Sequence, residues 1–150
     1  MKLEDEIKTD KFLNTHHRSV INIMFTANWL LSRISDILAP FGISEQQYNV
    51  LRTLNNHKAG PMKLYMISER MIHQTSNVTR LVEKLRQKGL VKREICEDNR
   101  RQVDITITPK GEQMLERVNP LIMEQQKEIN EKWTEEQAEI MGCLLDQVRS

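Results

Sequence analysis

The chain has 150 residues, 39% hydrophobic and 29% charged, with a formal net charge of +1. That length holds one domain, or one domain with an appended interaction element, and the composition excludes a disordered polar chain. No apolar run approaches the ~18 residues of a membrane-spanning helix, and the amino-terminal MKLEDEIKTDK has no signal-peptide core, so the sequence reads as cytoplasmic with no membrane partner. Charge is unevenly placed. Residues 75–102 hold eight bases against four acids, whereas 109–150 hold five bases against nine acids. A near-neutral chain with a basic middle and an acidic end attracts phosphate to one place.

The first long element spans about Thr9 to Ala39. Phe12, His16, Val20, Ile23, Met24, Ala27, Leu30, Leu31, Ile34 and Leu38 recur at three- and four-residue steps, the period of an amphipathic helix. Ile21, Phe25 and Ile37 lie off that stripe, so the apolar surface is broader than one neighbour needs. Pro40 and Gly42 end the helix. Ser44-Glu45-Gln46-Gln47 has the form of a capping box, and the helix it opens carries Tyr48, Val50, Leu51 and Leu54 before ending near His57.

A shorter helix follows, about Lys63 to Met71. Thr75 or Ser76 is placed to cap the next one. There Val78, Leu81, Val82 and Leu85 fall at i, i+3, i+4, i+7 and must face the core, leaving Ser76, Arg80, Glu83, Lys84 and Gln87 opposite. Gly89 supplies a left-handed stop. Two helices joined by so short a turn have helix-turn-helix spacing. Val91 to Cys96 and Val103 to Ile107 alternate with period two around a polar tip, which predicts a β-hairpin. Thr108-Pro109 opens a further helix as N-cap and first residue, with Pro120 predicting a kink or break. Thr134-Glu135-Glu136-Gln137 is a second capping box, opening a last helix with Ile140, Met141, Leu144, Leu145 and Val148.

The chemistry of catalysis and metal binding is missing from this pattern. There is no glycine-rich phosphate loop, nucleophile elbow, paired-carboxylate or H-E-x-x-H pattern, which argues against an enzyme and against a cofactor. His16, His17, His57, His73, Cys96 and Cys143 lack zinc-ligand spacing, so no metal is expected. The polar helix face and basic hairpin instead suggest a surface that lies along duplex DNA. The amino-terminal end of such a helix, Thr75, Ser76, Asn77, Thr79 and Arg80, would reach base edges in the major groove, with Lys84 behind it. Thr75 and Ser76 serve equally as caps, and Arg80 and Lys84 equally as a solvated face. Arg100 or Arg101 at the hairpin tip would enter a minor groove.

The run Asp98-Asn99-Arg100-Arg101-Gln102-Val103-Asp104-Ile105-Thr106-Ile107-Thr108-Pro109-Lys110-Gly111 resembles the wing signature of the MarR family of bacterial transcriptional regulators. Ser76 to Leu85 followed by Lys88-Gly89-Leu90-Val91 is similar to that family's recognition helix and its exit into the wing. The resemblance implies a mainly α fold with a small β-hairpin wing (α+β). It divides the chain into a winged helix-turn-helix over 44–108 and dimerisation helices over 1–43 and 109–150. It also implies that Asp98, otherwise a turn residue, orients Arg100. The function implied is a homodimeric, double-stranded DNA-binding regulator, a repressor, recognising a palindromic operator. Small aromatic or anionic effectors bind many family members between the dimer helices and the winged module. His16, His17, Trp29, Tyr48 and Arg52 are the pocket candidates here. Two other readings stay open at this level: a winged-helix module that binds protein, and a redox-responsive regulator using Cys96, which is otherwise a plain thiol.

Overall fold

The structure, a computed structural model, describes residues 2–57, 59–72, 77–95 and 103–150. Helices α1 (Leu3–Ile7) and α2 (Thr15–Leu38) lead through a 3-10 turn at Ala39–Phe41 into α3 (Glu45–Asn56). Strand β1 (Met62–Lys63), α4 (Leu64–Glu69) and α5 (Val78–Gln87) follow. Strands β2 (Val91–Ile95) and β3 (Val103–Ile107) come next, then α6 (Pro109–Asn130) and α7 (Glu135–Val148). The mainly α fold with a β-hairpin is the expected one.

Local chemistry accounts for most boundaries. Both capping boxes form: Ser44 Oγ accepts from the Gln47 amide at 3.2 Å while Gln47 Oε1 accepts from the Ser44 amide at 3.1 Å, and Thr134 and Gln137 repeat the exchange. Thr108 Oγ1 accepts from the Gly111 amide at 3.1 Å, with Pro109 first in the helix. Gly89, at φ +71°, closes α5: its amide bonds Arg86 O at 2.9 Å and the Leu90 amide bonds Leu85 O at 3.0 Å. That pair of bonds is a Schellman stop.

Five boundaries differ from the sequence reading. The first long helix begins at Thr15, not Thr9, because Asn14 Oδ1 caps the His17 amide at 2.9 Å. The separate helix α1 precedes it, with Leu3 buried and Glu4 paired to Arg18 at 2.5 Å. A third strand, β1, is too short to show periodicity. It pairs with β3 through Met62–Ile105 and Lys63–Asp104, giving an antiparallel sheet in the order β1-β3-β2. Helix α5 begins at Val78 with Asn77 in the capping position, one residue after Ser76 or two after Thr75, the caps expected from sequence; both of those lie outside the described residues. Helix α6 runs through Pro120 without a break.

One core holds α3, α4, α5, the sheet and the start of α6 together. Val50, Leu51, Ile67, Val82, Leu85, Ile105 and Val118 are among its fully buried members. On α5 it is the expected quartet Val78, Leu81, Val82 and Leu85 that is buried. A ten-residue helix is marginal in isolation, and each such aliphatic burial contributes about 1.5–3 kcal/mol, so packing fixes α5 in place. In the hairpin the expected alternation is weaker than its sequence: Val91 and Ile105 are buried, yet Ile95 is exposed.

The outer helices contrast with this. On α2 only Leu38 is buried, and α7 buries nothing. Val20, Ile23, Met24, Leu121, Ile140, Met141, Leu144 and Val148 all remain exposed, Leu144 at 53% and Val148 at 68%. Among the described residues no helix is long and apolar enough to cross a membrane.

The seam between hairpin and α6 is the tightest point. A Cβ at Gly111 would lie 2.3 Å from the Leu90 carbonyl oxygen and 2.7 Å from Ile107 Cγ1. Backbone cannot yield as a side chain can. Gly111→Ala is therefore expected to destabilise the fold by about 1–3 kcal/mol despite alanine's better helix propensity, read as a lower urea midpoint at unchanged slope.

Candidate nucleic-acid interface

Helix α5 is amphipathic to the point that its two halves have no chemistry in common. Opposite the buried quartet stand Thr79, Arg80, Lys84 and Gln87, all exposed. Asn77 holds the N-cap position, but its side chain makes no capping bond, so the amide is left for an outside partner. Arg80 and Lys84 have no ion pair among the described residues. The one acid of the helix, Glu83, is spoken for: Arg86 grips it with Nη2 at 2.8 Å and Nε at 3.0 Å, and Gln87 adds a bond at 3.3 Å. Arg86 holds the Glu83 carboxyl below its usual pKa, so it stays ionised and paired.

Beside α5 runs an open groove whose second wall is the start of α3. Asn77, Arg80, Leu81, Lys84, Gln87 and Lys88 form one side; Ser44, Gln46 and Gln47 form the other. Its end is tied shut, since Lys88 Nζ donates to the carbonyl of Gly42 in the turn before α3. Among the described residues the cations lining it are Arg80, Lys84 and Lys88, and no acid lines it. Sequence reasoning names Asn77, Arg80 and Lys84 but not Ser44, Gln46 or Lys88. Nothing in residue spacing says that α3 packs with its first turn beside α5.

The exit of α5 is anchored from three directions. Thr108 Oγ1 donates to Gly89 O at 2.7 Å, the Thr108 amide donates to Leu90 O at 3.1 Å, and Lys110 Nζ reaches Lys88 O at 2.8 Å. Toward the loop end of the hairpin Lys63 and Asp104 pair at 2.5 Å, both about three-quarters buried, joining β1 to β3. Lys92 pairs with Glu94 at 2.6 Å on the exposed strand. The hairpin-tip candidates Asp98, Arg100 and Arg101, and also Cys96, lie outside the described residues, as do Thr75 and Ser76.

The five effector-pocket candidates lie in different settings. His17 belongs to the start of α2: its Nδ1 accepts from the Leu13 amide at 3.3 Å and its ring meets Phe12 edge-on at 6.2 Å. His16 is exposed beside it. Trp29 carries Arg33 over its ring at 5.0 Å and Lys132 at 5.9 Å, while Arg33 pairs with Glu128 at 2.7 Å. Tyr48 joins α3 to α6 by donating to Asn119 Oδ1 at 3.0 Å, and partial burial raises its pKa. Arg52, one turn on, donates to Asn49 and lines a cleft with Thr53, Asn56, His57 and Arg70, a set that includes none of the other four.

A helix-turn-helix closed by a three-stranded sheet, with a cationic recognition face, defines a winged helix-turn-helix protein. Residues 43–103 match the model of the MarR family. It is 41% identical over 66 residues to the HTH-type transcriptional regulator YfiV of Bacillus subtilis (strain 168), covering 44% of this chain and 40% of YfiV. It thus spans less than half the length of that relative. With the HTH-type transcriptional regulator YwoH of the same organism the match is 27% over 133 residues, 89% of this chain and 93% of YwoH. The fold matches a MepR–DNA complex of S. aureus at TM-score 0.79 and 19% identity, over 92% of this chain and 97% of that one.

Proposed function

We propose that this chain is a sequence-specific, double-stranded DNA-binding transcriptional regulator that works as a homodimer and represses by occupying its operator. The observation that carries this is the α5 face: Asn77, Thr79, Arg80 and Lys84 are exposed, and the helix's single acid is paired to Arg86. A helix held by its apolar side against one core presents such a face where a recognition helix enters the major groove. In this reading Asn77 addresses a base edge, Arg80 a guanine edge or a phosphate, and Lys84 a phosphate, with Thr75 and Ser76 beside them. Asp98 orients Arg100, and Arg100 or Arg101 enters the neighbouring minor groove. The likeness to a fold that carries DNA in the MepR complex supports the assignment.

The dimer rests on the outer helices. Residues 44–108 form the reader, its core completed by Leu38, Ile43, Leu115 and Val118, whereas α2, the far half of α6 and α7 expose Val20, Ile23, Met24, Leu121, Ile140, Met141, Leu144 and Val148. So many apolar side chains on three helices exceed what a monomer leaves in water. A two-fold partner would cover them with the same helices and set two copies of α5 about 34 Å apart, one DNA turn, which demands a palindromic site. An aromatic or anionic effector bound between the outer helices and the winged module, with His16, His17, Trp29, Tyr48 and Arg52 as candidates, would release DNA by favouring another spacing.

Two measurements test this. Binding of a duplex selected from a random pool should weaken about 10³-fold or more between 50 and 200 mM salt, as counterion release by several basic contacts requires. Absence of binding at 50 mM salt would contradict the assignment. In sedimentation equilibrium the chain should run as a dimer of twice 17.7 kDa, and Leu144→Glu should shift it toward monomer.

A further inference from the structure

The groove beside α5 has two walls, and only one belongs to the recognition helix. We infer that the start of α3, through Gln46 and Ser44, forms the second wall of a channel for the DNA sugar-phosphate backbone. In this channel α3 and α5 hold one strand between them while α5 reads bases. The inference rests on the DNA-binding reading above and adds a contact element to it.

Three features of the channel point to a polyanion rather than to a peptide or a small apolar ligand. Every charged side chain lining it is a cation: Arg80, Lys84 and Lys88. They follow one another at four-residue steps along α5, about 6 Å apart, so the positive charge forms a rail and not a point. Glu83 is turned out of the channel and neutralised by Arg86, and Glu45, the acid next to Gln46, does not line it. The opposite wall is uncharged and hydrogen-bonding. The hydroxyl of Ser44 and the Gln47 amide are engaged in the capping box, which fixes that wall rigidly, whereas the Gln46 side chain makes no bond among the described residues and is half-buried at the rim. A neutral donor facing a cation rail suits phosphate oxygens, which accept from both sides. Lys88 Nζ donates to Gly42 O, so one bond also links the two sides of the channel.

Such a contact positions and does not specify. Its signature is an equal effect on any sequence. The experiment measures binding of two 30-bp duplexes, one selected from a random pool and one of arbitrary sequence, at several salt concentrations. The proteins compared are the unaltered chain, Gln46→Glu, Gln46→Lys and Lys84→Gln. Gln46→Glu should weaken both duplexes by about three- to tenfold at low salt and leave their ratio unchanged; Gln46→Lys should tighten both by a similar factor. Lys84→Gln should lower the salt slope by about 0.9. A glutamate in the first turn of a helix favours that helix, so weaker binding by Gln46→Glu cannot be laid to unfolding, and matching thermal midpoints check this. Gln46→Glu and Gln46→Lys that bind both duplexes within twofold of the unaltered chain would overturn the proposal while the DNA-binding reading stood. Should Gln46→Glu change only the preference between duplexes, Gln46 would face bases and the backbone channel would be refuted. Loss of the parent reading is separate: the unaltered chain would then bind neither duplex.

Discussion

The contact on which the rest depends is the seam where the exit of α5 meets the start of α6. Gly89 turns the chain through a left-handed residue, Leu90 turns its carbonyl toward Gly111, and Thr108 bonds to both turns at once, donating to Gly89 O and accepting from the Gly111 amide. Lys110 closes the same seam by reaching Lys88 O. These short bonds lock the recognition helix to the helix that leaves for the outer layer. A glycine at 111 is required because any side chain would meet backbone. The exit of α5, which is seated on α3, α4 and β2, is thereby tied to the start of α6. In the proposed dimer the spacing between two readers is a property of the outer helices, transmitted through this seam.

Much of this was legible in residues alone. The quartet Val78, Leu81, Val82, Leu85 announced both the helix and its buried side, and the two capping boxes fixed the starts of α3 and α7, because each signal is local chemistry within a few residues. What stayed hidden depends on distant partners. Strand β1 is two residues long and exists only because β3 offers it an edge. The pairing of Lys63 with Asp104 joins residues 41 apart in sequence. Pro120 left a kink or a break open on local grounds; the helix continues through it without a break, packed at Leu115 and Val118. The groove wall from α3 was invisible for the same reason: Gln46 has no pattern of its own until α5 lies beside it.

The effector candidates show the opposite limit. Tyr48 and Arg52 sit one turn apart on α3, but His17 is occupied at the start of α2 and Trp29 is flanked by Arg33 and Lys132. Aromatic and basic residues of apolar helices suit a pocket by composition. Their convergence depends on how two outer layers meet, and a single chain leaves those layers open to water. In the proposed regulator the exposed Val20, Met24, Leu144 and Val148 and the cationic channel are two faces of one design: a second copy would finish one side and DNA the other.

The most direct test of that design is a hydroxyl-radical footprint on a selected duplex. Two readers held apart by the outer helices should protect two equivalent segments whose centres lie about 10–10.5 base pairs apart, on a palindrome. A single protected segment at saturating protein, or protection without two-fold symmetry, would contradict the account.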